Sequence, residues 1–252
     1  MRRLVLLFSF FACAASAQTT TSKQIIHHTQ AWYSINTALR ISEQWGVVGD
    51  LHVRTEGLAE DGVFWLLRVG GVYWIQGKYP IIAGVARLWQ NPPSGLTTWA
   101  IENRIYQQWS TPTDYGRLTV LHRIRTEERW RDQLVNDQVV GAKVFSFRLR
   151  YLLSLQIPIS TNPNVPTLVL ADELMTQFSP HIVYNSFDQN RVFLGIRVPL
   201  NKQLSFDTGY MNIIQQRPAG NVYDVSNVFR IFIYWNADFY ENKKLHAISS
   251  DD

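Results

Sequence analysis

The sequence predicts an all-β fold, an antiparallel transmembrane β-barrel. Three observations carry that prediction: polar and apolar residues alternate in segment after segment, a leading segment has the marks of a secretory signal, and no later apolar run is long enough for a membrane helix. The alternation is plainest in RLTVLHRIRTEERW, residues 117–130, where Arg117, Thr119, Arg123, Arg125, Glu127 and Arg129 share one parity and Leu118, Val120, His122, Ile124 and Trp130 the other. Successive side chains of a strand point to opposite faces, so four arginines and a glutamate on one parity cannot sit in an ordinary core. Repeated around a closed wall, the pattern places lipid outside and a polar lumen inside.

Residues 1–17 read as a signal peptide: Arg2 and Arg3 precede the apolar run from Leu4 to Ala12, and Ala15-Ser16-Ala17 supplies small residues at a cleavage site. The mature chain is then expected to start at Gln18. No later stretch approaches the roughly 18 apolar residues of a spanning helix, so a membrane protein made from this chain must cross as strands. The single cysteine, Cys13, falls inside the signal, which leaves no disulfide and no thiolate metal site. Phe10 and Phe11 argue against Cys13 as a lipidation site. The formal charge of +4 drops to +2 without Arg2 and Arg3, too small to suggest a nucleic-acid partner. Aromatic residues make up 13% of the chain and charged residues 17%, with a mean hydropathy of −0.12, as expected when half of every strand is apolar and half polar.

Tilted strands need about 9 to 11 residues to cross the hydrocarbon, and eleven segments alternate over such lengths. Segment 31–41 sets Tyr33, Ile35, Leu39 and Ile41 against Ser34, Asn36 and Arg40, and 44–55 sets Trp45, Val47, Leu51 and Val53 against Asp50, His52 and Arg54. In 63–75, Trp65, Leu67, Val69, Tyr73 and Ile75 oppose Arg68; 79–89 alternates less cleanly; in 96–109, Trp99, Ile101 and Ile105 oppose Glu102, Arg104 and Gln108. After the segment ending at Trp130, 144–157 has the best lipid face, with Phe145, Phe147, Leu149, Tyr151, Leu153 and Leu155 against Ser146, Arg148, Arg150, Ser154 and Gln156. Segment 167–175 turns Glu173 inward, 187–198 opposes Val192, Leu194, Ile196 and Val198 to Gln189, Arg191 and Arg197, and 204–215 opposes Leu204, Phe206 and Tyr210 to Ser205 and Asp207. The last, 228–239, opposes Phe229, Ile231, Ile233, Trp235 and Phe239 to Arg230, Tyr234, Asn236 and Asp238.

Connections alternate between short (42–43, 76–78, 110–114, 158–166, 199–203) and longer (56–62, 90–95, 131–143, 176–186, 216–227), as in barrels with periplasmic turns and external loops. Residues 18–30 then have to reach the outer rim, either as part of a twelfth strand or as a lumen plug, and the even counts of bacterial barrels favour twelve strands. The expected organisation is signal 1–17, N-terminal segment 18–30, barrel 31–239 and polar tail 240–252.

ENRIYQQW at 102–109, HRIRTEERW at 122–130, FRLRYLL at 147–153, ADEL at 171–174, FDQNRVFLG at 187–195 and GYMN at 209–212 occur in an order and spacing that resembles a bacterial family known as domain of unknown function 2490. The resemblance runs from about Gln30 to Phe239 and implies an outer-membrane barrel. It implies no activity, ligand or catalytic residue. The polar tail departs from barrels that end on a terminal aromatic, here Phe239.

The residues expected to line the lumen are Glu102, Arg104, Arg123, Arg125, Glu127, Arg129, Arg148, Arg150, Glu173 and Arg191, joined on the same parity by Arg40, Arg54, Arg68, Arg197, Arg230, Asp50, Asp207 and Asp238. Arginine–carboxylate pairs lacing the wall is the favoured reading, because unpaired charges in a confined interior are costly. The surplus of arginine also suggests a small pore that leans toward small anionic solutes. Twelve strands lie between barrels filled by side chains and open porins, so size alone does not decide. A non-conducting structural or surface-binding barrel is the alternative. A second is a soluble periplasmic all-β binding protein with the apolar parity enclosed.

Nothing points to an enzyme, metal or cofactor. His122 faces outward, but two residues further stands Ile124 and not the serine that barrel phospholipases place there, so a girdle histidine is expected. His52, His181 and His246 stand alone in sequence. The adjacent His27 and His28 would point to opposite faces of a strand and are assigned to a mobile N-terminal segment. Arginines around Glu102, Glu127 and Glu173 disfavour the neutral carboxyl a general acid needs. Glycines in GVVGD (46–50) and RVGGVYW (68–74) precede no helix and are expected to relieve crowding in the wall. Trp45, Trp65, Trp74, Trp89, Trp99, Trp109, Trp130 and Trp235 are read as an interfacial girdle. The expected partners are the outer-membrane bilayer and the barrel assembly machinery.

Overall fold

The computed structural model describes residues 22–60, 62–92, 95–162, 165–180, 182, 186–217 and 220–240. The signal segment, His181, His246 and all of the polar tail beyond Tyr240 lie outside the described residues. Eleven strands run through the described residues: β1 Gln24–Arg40, β2 Trp45–Glu56, β3 Gly62–Ile75, β4 Tyr79–Gln90, β5 Ala100–Tyr115, β6 Leu118–Val135, β7 Gln138–Pro158, β8 Thr167–Phe178, β9 Phe187–Pro199, β10 Leu204–Gln216 and β11 Val222–Asp238. Consecutive strands pair antiparallel and the sheet closes into a barrel, with β11 hydrogen-bonded parallel to β1. No described helix is long and apolar enough to cross a membrane.

The expected twelve strands are corrected to eleven. Residues 24–30, QIIHHTQ, hold no glycine or proline that would reverse the chain, so they continue straight into Ala31 and lengthen the first strand to 17 residues. An odd number of up-and-down strands makes the first and last run the same way, and the seam is therefore parallel, in register from Gln24↔Val222 to Arg40↔Asp238. Residues 24–30 are neither a separate strand nor a plug.

Two expected loops are also corrected. Residues 110–114 belong to β5, which turns at Gly116-Arg117 with Gly116 at φ 62°. Most of 131–143 is a hairpin, because Asn136 and Asp137 take φ of 52° and 59°, the pair of positive values a type I′ turn requires. Thus β6 and β7 project past the rim, and Asp137 accepts hydrogen bonds from Thr97 N (3.0 Å) and Thr98 N (2.8 Å), tying the tip to the approach to β5.

The two faces of the wall are dressed oppositely. On β7, Leu149 and Tyr151 are 39% and 43% exposed, while Arg148 and Arg150 beside them are 8% and 6% exposed. The same holds for Ile35, Val47, Leu67, Val85, Ile105, Ile124, Leu170, Leu194 and Phe229, all exposed on the outer surface. A soluble calyx needs the reverse arrangement. Inside, glycine makes room for large rings lying on the wall: a Cβ at Gly84 would stand 2.9 Å from Tyr106 Cε1 and 2.2 Å from Val69 O, and one at Gly195 would stand 2.4 Å from Phe193 Cζ. Of the glycines the sequence assigns to this role, Gly46 and Gly70 fill it, with the Trp74 ring and the Tyr106 hydroxyl where a Cβ would stand, whereas Gly71 has nothing within 4 Å.

The parallel seam is directly testable by disulfide trapping. In a Cys13→Ala background, the pairs Ile25→Cys/Tyr223→Cys and Ile35→Cys/Ile233→Cys are register partners in the same direction, within reach of a disulfide. Both should cross-link on oxidation and shift the band on a non-reducing gel. An antiparallel seam would permit at most one of them.

Candidate functional site

All ten residues expected to line the lumen lie on the inner wall, and they converge because β5, β6, β7, β8 and β9 are neighbours in the sheet. Cross-strand register brings like charges together there: Arg104 is opposite Arg129, and Arg125 is opposite Arg150. Such pairs repel, so their heads must turn to other partners. Arg104 Nε donates to Glu102 Oε1 (2.6 Å), Arg129 Nη2 to Gln177 Oε1 (3.0 Å) and Arg125 Nε to Gln108 Oε1 (2.9 Å). Arg150 takes the carboxylates on both sides, Glu127 through Nη1 (2.6 Å) and Glu173 through Nη2 (2.8 Å).

Glu127 is the centre of this network. It is 1% exposed, and besides Arg150 its oxygens lie 3.4 Å from Arg104, 3.7 Å from Arg148 and 3.9 Å from Arg125. Glu173 similarly holds Arg123 (2.6 Å) and Arg191 (3.6 Å) in addition to Arg150. Glu102 joins Arg104 to Arg131, each through a 2.6 Å contact. A second cluster lies on β2 and β3, where Asp50 binds Arg68 Nε (2.9 Å) and the ring of His52 (2.9 Å). A third joins Asp207 to Arg197 through two bonds of 2.7 and 2.9 Å, with Arg230 at 3.3 Å. The fork geometry of guanidinium against carboxylate makes these the strong kind of hydrogen bond.

The carboxylates sit low on the wall and the longer arginines reach over them. The cavity inside, of about 800 Å³, is consequently lined by twelve arginines and only five carboxylates, with Glu102 and Glu127 hidden beneath. The interior surface is more cationic than the residue count of the wall suggests.

Several sequence expectations change. His52 does not stand alone, since Asp50 and Arg68 both meet its Nε2. His27 and His28 belong to β1, not to a mobile segment, and His28 bridges Glu56 (3.2 Å) and Asp224 (3.0 Å) across two strand junctions. Trp74, read from the sequence as a girdle residue, lies instead on the inner face, where its ring lies against the Gly46 backbone and 5.4 Å from the Arg40 guanidinium. His122 lies on the outer face, 2.8 Å from the Tyr151 hydroxyl. Among the described residues, no cluster of three His, Cys, Asp or Glu could hold a metal ion.

Alternation alone misses Asp188. Gln189 pairs with Met175 and Phe187 with Thr176, so Asp188 is opposite no residue of β8 and forms a bulge. Bulges re-aim side chains. This one buries Asp188, with Oδ2 2.6 Å from Arg148 Nε though off the N–H axis. Also missed is an apolar arc of the lumen, in which Trp32, Phe193, Met211, Ile213 and Val228 pack as one buried cluster. The signal was available: these residues share the parity of the inward arginines, on strands whose other parity is apolar too.

Fold and interior together define a β-barrel enclosing a buried arginine–carboxylate network. The chain belongs to the family described as Protein of unknown function (DUF2490), which it matches over residues 29–224. No curated protein and no solved structure matches it.

Removing the central carboxylate leaves four guanidiniums facing one another. Glu127→Gln should cost about 3–5 kcal/mol, the range for breaking a buried pair from one side. Arg217→Gln, which opens the half-exposed rim pair with Asp224, should cost no more than about 1 kcal/mol. Urea unfolding of the refolded protein in non-ionic detergent, followed by tryptophan fluorescence, measures both.

Proposed function

We propose that this chain is an outer-membrane β-barrel whose cationic lumen gives limited, anion-leaning passage to small solutes. The observation that carries the reading is the opposite dressing of the two faces, apolar residues around the outside and guanidinium groups around a cavity of about 800 Å³ within. Water solvates an exposed belt of this kind poorly, whereas acyl chains solvate it well. Exposed Trp45, Trp65, Trp99, Trp109 and Trp235 fit an interfacial girdle. A wall that shows an excess of one charge raises the local concentration of the opposite ion and repels its own.

Export through a cleaved signal peptide and insertion by the barrel assembly machinery complete this reading, and no catalytic step is part of it. A non-conducting barrel with a structural or binding role is the second reading. The density of ion pairs along β5 to β8 supports it, because long side chains paired with one another fill space inside the wall.

Residence in a bilayer can be tested by one substitution at the middle of the outer wall. Leu149→Arg should destabilise a membrane barrel by about 2–4 kcal/mol, the cost of arginine near the bilayer midplane. At an exposed site of a water-soluble protein the same change stays within about 0.5 kcal/mol. Folding titrations into liposomes separate the two. In planar bilayers under a potassium chloride gradient, the purified protein should show small conductance with a reversal potential on the chloride side. Complete absence of conductance would favour the non-conducting reading.

A further inference from the structure

The cavity wall is apolar on one arc and cationic on another, and the two meet at Trp32. Phe193, Met211 and Ile213 from β9 and β10 pack with Trp32 in one cluster and face the cavity. Against the same tryptophan stand two guanidiniums, with Arg54 Cζ 3.2 Å from the ring centroid and Arg191 Cζ 4.9 Å away. Arg54 differs from its neighbours. It meets no carboxylate among the described residues, its Nε has no hydrogen-bond partner, and its head is held between the rings of Trp32 and Phe64, the latter at 4.1 Å. The charges that act on it most strongly are Arg191, Arg104, Arg150 and Arg68, all of its own sign.

A confined cation among cations calls for an anion, and stacking on an aromatic ring offsets only part of its desolvation. A small inorganic anion would answer that charge but make no use of the apolar arc beside it. A neutral apolar molecule would cover the arc but leave Arg54 unanswered. We propose that the lumen binds an amphiphilic anion, a medium-chain carboxylate whose head lies between Arg54 and Arg191 and whose chain runs along Phe193, Met211 and Ile213. This rests on the reading of the lumen as an anion site and names the class of anion. Sites for small organic ligands combine a mostly apolar lining with a few convergent polar groups in this way, and the cavity has room for such a molecule.

Isothermal titration of the refolded mature chain in maltoside micelles, with octanoate, acetate and octanol as probes, tests the inference. Octanoate should bind at least tenfold more tightly than either acetate or octanol. Arg54→Gln should lower octanoate affinity at least tenfold and leave octanol unchanged, Arg54→Lys should retain most of the octanoate affinity, and Met211→Gln should weaken octanoate but not acetate. The shift in gel mobility on boiling reports whether each variant is folded. If Arg54→Gln fails to fold, the comparison of three probes on the unaltered protein decides by itself. Octanol binding as well as octanoate, or octanoate affinity indifferent to Arg54→Gln, overturns the proposal. Chloride selectivity in bilayers without octanoate binding would overturn this inference and leave the pore standing, and octanoate binding without conductance would do the opposite.

Discussion

The interior depends on one carboxylate held among four guanidiniums. Glu127 receives Arg150, Arg104, Arg148 and Arg125 from three adjacent strands, and without it the register of β5, β6 and β7 would press arginine against arginine. Charges this far from water are stable only when oppositely charged groups and aligned donors surround them. The arrangement also explains why arginine and not lysine fills these positions. A planar fork can serve two carboxylates at once, as Arg150 does for Glu127 and Glu173, whereas an ammonium presents a single point of charge.

That network is built upon a wall whose two faces differ in polarity. Alternation along β7 sends Leu149 and Tyr151 one way and Arg148 and Arg150 the other, and closure of the sheet converts that local rule into an inside and an outside. The interior is not uniformly polar. From β8 round to β1 it carries apolar groups, and Arg230 lies over Phe193 and Phe232, each ring 4.1 Å away. Stacking of this kind lets a guanidinium that also meets Asp207 share an apolar region.

Much of this was legible in the amino-acid order. Parity assigns Arg125, Arg150 and Glu173 to the inner face correctly because strand side chains alternate without exception over those stretches. What parity does not convey is which inward residues meet across the barrel. His52 beside Arg68, and Trp32 beneath Arg54 and Arg191, join residues 16 to 159 positions apart, on strands whose register must be known first. Asp188 escaped because a bulge breaks the alternation, and the β6–β7 tip escaped because Asn136-Asp137 makes a tight turn where length suggests a loop. The strand count went astray for another reason: evenness is a habit of bacterial barrels, whereas the direction of a strand is set by whether a turn precedes it, and none separates Gln24 from Ala31.

The seam has a kinetic consequence. Every other junction joins strands that follow one another in the chain and can form as a hairpin, but β1 finds its second neighbour only in β11, with Gln24 and Val222 at the two ends of the described fold. Such a contact carries the largest loop-closure entropy in the molecule. Ring closure must therefore wait for the final strand to be available, which makes it the slow, last event of assembly, and any chain truncated before β11 is left with two open edges.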